Sequence, residues 1–368
     1  MPQTQQQIES LLTIVDVRTD GARPWDIRVH DERFFERVLR DGVLGLGESY
    51  QDGWWDSDRL DELFARLVRL EASRVPIPLG LKWQFIKDRI LNRQPKSMAH
   101  RIADRHYNLG NDLFRGMLDR RMAYSCAYWQ DATTLNEAQE AKLELICRKL
   151  DLRDGQTVLD IGCGWGSFLK YAAEKYGIRG VGITVASEQV ELGRELCAGL
   201  PVVLRLQDYR DLTGSFDHIV SIGMFEHVGQ RNYRTFFKVA SRCLRDGGRF
   251  LLHTIGSHGR STHVDAWTEK YIFPDFALPS IREIGLAIER LFVMEDWHNF
   301  GADYDPTVLA WFANFDNAWE QLRPAYGDAF YRTWKYYLLS CGGSFRARRN
   351  NVWQVLLVKS GLPGGYRR

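Results

Sequence analysis

The sequence predicts an α/β fold built on a seven-stranded, doubly wound sheet, preceded by a smaller, mainly helical domain. Three observations carry this expectation. From about residue 156 onward, short apolar runs alternate with stretches of helical period. The run Val158-Leu159-Asp160-Ile161 is apolar apart from its acid, as a strand covered on both faces should be. It feeds directly into Gly162-Cys163-Gly164-Trp165-Gly166, a glycine-rich turn opening a helix from about Ser167 to Lys175.

The smaller domain is expected over 1–95. Met1 to Ser10 is polar and rich in Gln, which predicts no secretory signal. Residues 11 to about 70 mix short strands and helices. Ser57 or Asp58 is placed to cap a helix with Leu60, Leu63, Phe64, Leu67 and Leu70 on one face. Arg74 to Gly80, with two prolines, reads as a connection. Leu81 to Asn92 reads as a basic amphipathic helix, and Gln94 to Ser97 as a linker. Such a helix either lies in a membrane interface or packs with its polar face solvated. From Arg74 to Arg121 there are eleven Lys/Arg against four Asp/Glu, a block that favours an anionic surface.

The second domain is expected over 96–368. Between His106 and Trp129 aromatics interleave with small polar residues without clean periodicity, which suits a pocket lining. A helix from about Leu135 to Leu150 sets Leu143, Ile146, Cys147 and Leu150 on one face. Strands are expected at 156–161, 179–184, 201–206, 216–222, 248–255, 291–298 and 351–358, the last two as an antiparallel edge pair. Between those two lies a helical insertion, about 303–345, loaded with aromatic residues. It either roofs an apolar substrate channel or packs as an ordinary satellite.

Composition narrows the function classes. Hydrophobic residues make up 45% and charged residues 26%, a globular balance, and a net charge of +2 gives no ground for nucleic-acid binding. No apolar run approaches the roughly 18 residues that a bilayer span requires. The six cysteines form no C-x-x-C pair and no metal spacing with histidine. Reduced thiols, no metal and a cytoplasmic location are the expectation.

The glycine turn predicts a nucleotide-type site, because glycines admit a ligand close to the backbone and the helix that follows offers free N–H groups. Its third glycine, Gly166, comes one residue early for a dinucleotide fingerprint, and Asp160 precedes the first by two. The pattern D-x-G-x-G-x-G instead resembles the first motif of S-adenosylmethionine-dependent methyltransferases. An ordinary tight strand-to-helix turn is the alternative. The acid usual at the tip of the second strand is missing, leaving Thr184 and, in the next helix, Gln189 to take its place.

Many further blocks agree in order and spacing with one family. They are His106 to Phe114, Tyr124-Ser125-Cys126-Ala127-Tyr128-Trp129, Asp160 to Gly166, Gln207 to Asp211, Ser221 to Gly229, Leu251 to Gly256, Glu295 to Tyr304 and Cys341 to Arg348. The chain resembles the cyclopropane-fatty-acyl-phospholipid synthases, strongly over about 100–360 and more loosely before. It resembles the bacterial phospholipid enzymes rather than the mycolic acid branch, which lacks a comparably long N-terminal domain. The resemblance implies a class I methyltransferase fold, with the N-terminal domain serving lipid binding and dimerisation. It implies transfer of a methylene group from S-adenosylmethionine to a cis double bond of an unsaturated phospholipid. It further implies a homodimer, peripheral attachment to the inner face of the membrane, and a bound bicarbonate as base. A lipid or amine methyltransferase of the same fold without ring closure is the alternative, since plant alkaloid N-methyltransferases share several blocks. A lipid-surface module that has lost catalysis is another.

Site residues carried over from the resemblance fall into two groups. Bicarbonate is held by Cys126, Glu226, His253, Ile255 and Tyr304. Glu226 could itself be the base, orient the ion, or merely cap a helix; His253 and Tyr304 could donate to the ion or sit as core residues. Ile255 offers only its N–H, and Cys126 reads as a backbone contact. Cys341 belongs to a family motif but reads as packing, because no thiolate is required. For the cofactor, Tyr124 and Ser125 close over it, and Leu159, Asp160, Gly162, Cys163, Gly164, Trp165 and Gly166 cradle its amino-acid end and ribose. Asp208 and Tyr209 fit the adenine.

Overall fold

In the computed structural model, which describes residues 3–72, 109–259, 262–274 and 276–368, seven strands form one sheet. They are β1 Thr157–Ile161, β2 Arg179–Thr184, β3 Val202–Leu206, β4 Phe216–Ile222, β5 Leu244–Ser257, β6 Val293–Asn299 and β7 Asn350–Val358. Their order is β6-β7-β5-β4-β1-β2-β3. β1 pairs in parallel with both β2 and β4, β2 with β3, and β4 with β5. β6 runs antiparallel to β7 at the edge, as expected.

The apolar runs explain the doubly wound sheet. Successive strand side chains point to opposite faces, so a run with no polar alternation must be covered twice. Leu159, Ile219, Phe250, Leu252, Val355 and Leu357 enter one buried cluster. Their neighbours Val158, Val220, Leu251 and Leu356 enter another. The helix Leu135–Leu150 seats the second cluster and begins with a capping box, in which Thr134 accepts from the Glu137 N–H while the Glu137 carboxylate accepts from that of Thr134. It stops at Asp151, which adopts a left-handed conformation.

The chain divides into two compact units. One lies within residues 94–263, 275–307 and 351–368 and carries the sheet; the other lies within 1–93, 264–274 and 308–350. The insertion is helical, Tyr304–Tyr326 and Asp328–Arg346, and residues 308–350 cluster with the N-terminal helices. Within that unit Tyr336 meets Trp267 at 4.4 Å, Phe64 at 5.0 Å and Tyr50 at 5.5 Å between ring centroids. Trp311, Phe315, Trp319 and Trp334 are buried too. Among the described residues no helix is long and apolar enough to cross a membrane, and no cluster suits a metal ion. The basic helix expected at 81–92, the connections flanking it and His106–Asn108 lie outside the described residues.

Candidate active site

A cavity opens at the carboxyl ends of β1 to β4, where the strand order reverses and open α/β sheets take their ligands. After β1 it is lined by Asp160, Gly162, Cys163, Gly164 and Trp165. Gly162 has φ +88°, and a Cβ there would stand 2.4 Å from that of Met224. Gly164 has φ +55° with open space where its Cβ would be, so the backbone itself faces the cavity. Trp165 is fixed from the helix Asn111–Met117, its Nε1–H donating to Asn111 Oδ1 at 2.9 Å.

Thr184 and Gln189 line the next wall and bond to each other at 2.9 Å. Asp208 and Tyr209 line the wall after β3. Asp208 accepts from the guanidinium of Arg210 at 2.8 and 2.7 Å, so its carboxylate is oriented before any ligand arrives. Tyr124 and Ser125 close the cavity from the segment preceding the helix Leu135–Leu150. Tyr124 packs its ring 5.3 Å from Phe114. Of the thirteen cofactor residues expected from the sequence, Leu159 and Gly166 do not line the cavity. Leu159 points into the core, and Gly166 turns toward Cys197 and Leu204 as the helix Ser167–Tyr176 begins.

Of the expected proton-handling residues, Glu226, His253 and Ile255 lie at the ends of β4 and β5, and none of the six lines the cavity itself. Glu226 sits fully buried in a short turn after β4. Its Oε1 accepts from the Ile255 N–H at 2.6 Å, while Oε2 has no hydrogen-bond partner among the described residues. Burial pushes its carboxyl up to about 7 despite that N–H. The Ile255 N–H that the resemblance gives to bicarbonate is thus engaged by Glu226. His253, two residues earlier on β5, is buried and held neutral, chiefly by desolvation. Its Nδ1 lies 3.4 Å from Gln354 Nε2, and an amide N–H donating there leaves the ring proton on Nε2. The ring also stands edge-on to Phe300 at 5.6 Å.

The segments that carry Cys126 and Tyr304 are tied to each other through Thr307 and Asp303. The Ala127 N–H donates to Thr307 Oγ1 at 3.2 Å, the Trp129 indole donates to it at 2.9 Å, and the Trp129 N–H reaches Asp303 at 2.8 Å. The segment carrying Cys126 is therefore pinned to the first turn of Tyr304–Tyr326. Burial holds the Cys126 thiol protonated, which suits a backbone contact and rules against a nucleophile. Cys341 belongs to the other unit, where burial pushes its thiol up to about 12. Sequence reasoning missed Gln139, Lys142, Thr307 and Gln354. Gln139 and Lys142 fall one helical turn apart on the buried face of an amphipathic helix, a polar pair that was there to be noticed.

Over residues 94–355 the chain matches the family model described as mycolic acid cyclopropane synthetase. It is 50% identical over 358 residues to the cyclopropane-fatty-acyl-phospholipid synthase of Escherichia coli (strain K12), covering 97% of this chain and 94% of that one. The probable fatty acid methyltransferase of Pseudomonas putida is 35% identical over 276 residues, 70% of this chain and 69% of that one. Among solved structures, mycolic acid cyclopropane synthase CmaA1 complexed with SAH and CTAB has a TM-score of 0.66 at 32% identity, covering 72% of this chain and 98% of that one. Coclaurine N-methyltransferase bound to N-methylheliamine and SAH has a TM-score of 0.73 at 22% identity, covering 86% and 99%, which speaks for the fold alone. A class I methyltransferase sheet, a glycine-lined cavity at its switch point and these matches lead to one conclusion: the chain belongs to the mycolic acid cyclopropane synthetase family and is an S-adenosylmethionine-dependent methyltransferase.

Proposed function

We propose that the protein transfers a methylene group from S-adenosylmethionine to a cis double bond in an acyl chain of an unsaturated phospholipid, closing a cyclopropane ring. The observation that carries this reading is the buried, half-satisfied Glu226 carboxylate beside a neutral His253, at the same sheet edge as the cofactor cavity. Methyl transfer to an alkene leaves a cation that must give up a proton, and a buried proton-handling group at the site suits that loss. The likeness to the Escherichia coli synthase supports the lipid substrate.

When bound, S-adenosylmethionine supplies an electrophilic methyl group, and a bicarbonate ion would supply a small proton acceptor. An alkene is a poor nucleophile, so the site must align it with the methyl and keep water away. The apolar walls contributed by Ile161, Ile183, Ile222 and Met224 suit that task. Attack on the methyl leaves positive charge on the acyl chain, and the ring closes when the added carbon loses a proton. The residues fit an oxyanion that carries its own O–H. Among the described residues Glu226 Oε2 has no partner and has lone pairs to accept that O–H, while neutral His253 would donate from its ring. The Ile255 N–H would have to be shared between ion and carboxylate.

The test uses purified protein, S-adenosylmethionine and vesicles of unsaturated phosphatidylethanolamine and phosphatidylglycerol. Acyl chains heavier by one CH2, with the high-field proton resonances of a cyclopropane, are expected. An added methyl branch, a methylated amine head group or no lipid product would overturn the reading.

A further inference from the structure

Lys142, on the helix Leu135–Leu150, is 1% exposed and lines the cofactor cavity. Its Nζ donates to Ser125 Oγ at 2.9 Å, a neutral partner. Among the described residues no carboxylate lies within ion-pair distance of it. Asp119, close enough to act on it electrostatically, already accepts from the N–H groups of Arg121 and Ala123 at 2.9 and 2.8 Å. Asp160 lines the same cavity, and among the described residues its Oδ1 has no hydrogen-bond partner. A buried ammonium and a buried carboxyl therefore face one space, each short of a partner and not bonded to each other. Buried charges are stable only when paired, so the pattern calls for a ligand bearing both an anion and a cation.

The methionyl end of S-adenosylmethionine is such a ligand. We propose that Lys142 is a cofactor-binding residue whose ammonium pairs with the α-carboxylate of the methionyl group, while Ser125 holds the ammonium in place. The inference rests on S-adenosylmethionine occupying the cavity and adds the partner for its negative end. Gln139, one turn earlier on the same helix, donates to the carbonyls of Ala123 and Ser125 at 3.1 and 2.9 Å. The helix thus fastens the Tyr124–Ser125 segment over the cavity and aims the lysine with the same face. Asp119, Cys126 and Asp160 act on Lys142, and Lys142 in turn helps hold His253 neutral. Burial lowers the lysine to about 8 in the ligand-free protein, as a charge awaiting its partner should behave.

Calorimetric titration with S-adenosylhomocysteine and with its decarboxylated analogue, which keeps the amine, tests this without turnover. Lys142→Met is expected to weaken S-adenosylhomocysteine roughly 10- to 100-fold and the analogue less than about threefold, the loss of one charge-assisted bond. Lys142→Arg should retain most of the affinity. In the wild-type protein, the advantage of S-adenosylhomocysteine over the analogue should shrink as pH rises through about 8, because the lysine must then take up a proton to bind the carboxylate. Equal weakening of both ligands, weakening of neither, or a preference that does not change with pH would overturn the assignment. Should Lys142→Met fail to fold, the wild-type pH series decides alone. Wild-type protein that binds neither ligand would instead overturn the cofactor reading itself.

Discussion

Glu226 and Asp160 are two carboxyls that burial drives toward the neutral form, both to about 7. An acid whose folded value lies above its ordinary one makes the folded chain bind protons that the unfolded chain releases. Stability on this account falls as pH rises from about 4 to 7 and stays lost above that. Asp160→Asn and Glu226→Gln should therefore each raise the melting temperature at pH 8 by roughly 2–6 °C and change it little at pH 4. Glu226→Gln should nevertheless lower turnover at least roughly 100-fold. Scanning calorimetry at the two pH values checks the stability half, and lipid product formation the other. A Glu226→Gln protein less stable than wild type at pH 8 would mean that the carboxylate contributes to the fold instead of straining it.

At the scale of elements, the strand spans were legible because a strand buried on both faces leaves a short, purely apolar run bounded by turns. Only β5 extends well beyond its expected span, beginning at Leu244 rather than 248, because pairing with β4 starts ahead of the Gly247-Gly248 turn. The glycine loop after β1 was legible too, because glycine adopts its left-handed backbone angles at least cost. What the sequence could not supply was partnership at long range. Gln354 lies within the apolar run Val352-Trp353-Gln354-Val355-Leu356, and nothing local says that its amide meets His253, 101 residues away. Within the loop, Gly162 and Gly164 differ in a way that only coordinates reveal. Gly162→Ala must displace Met224 and should cost roughly 2–4 kcal/mol of stability, whereas Gly164→Ala meets open space and should cost about 1 kcal/mol, the left-handed backbone alone. The methyl of Gly164→Ala should instead obstruct the cofactor and weaken S-adenosylhomocysteine binding about tenfold or more. Denaturant titration and calorimetry on the two variants separate these effects, and the opposite ranking of stabilities would contradict the geometry.

At the scale of the whole molecule, the aromatic residues of the insertion serve first as the core of their own unit, around Tyr336 and Trp267. This packing role does not bear on how lipid arrives. The net charge of +2 hides a basic block over 74–121, and that asymmetry predicts weak binding to anionic vesicles that disappears as salt is raised. Sedimentation with phosphatidylglycerol vesicles at low ionic strength and at about 0.5 M salt should show bound and free protein respectively. Binding indifferent to salt would point to apolar insertion instead.

Ring closure requires the added carbon to surrender a hydrogen, and that loss is the central chemical claim. The most direct measurement supplies S-adenosylmethionine with a fully deuterated methyl group and reads the deuterium content of the lipid product by mass spectrometry and its position by NMR. The Glu226 site predicts a cyclopropane methylene carrying two deuterium atoms, the third passed to solvent. A product that retains all three, as an intact methyl group on carbon or nitrogen, would contradict it.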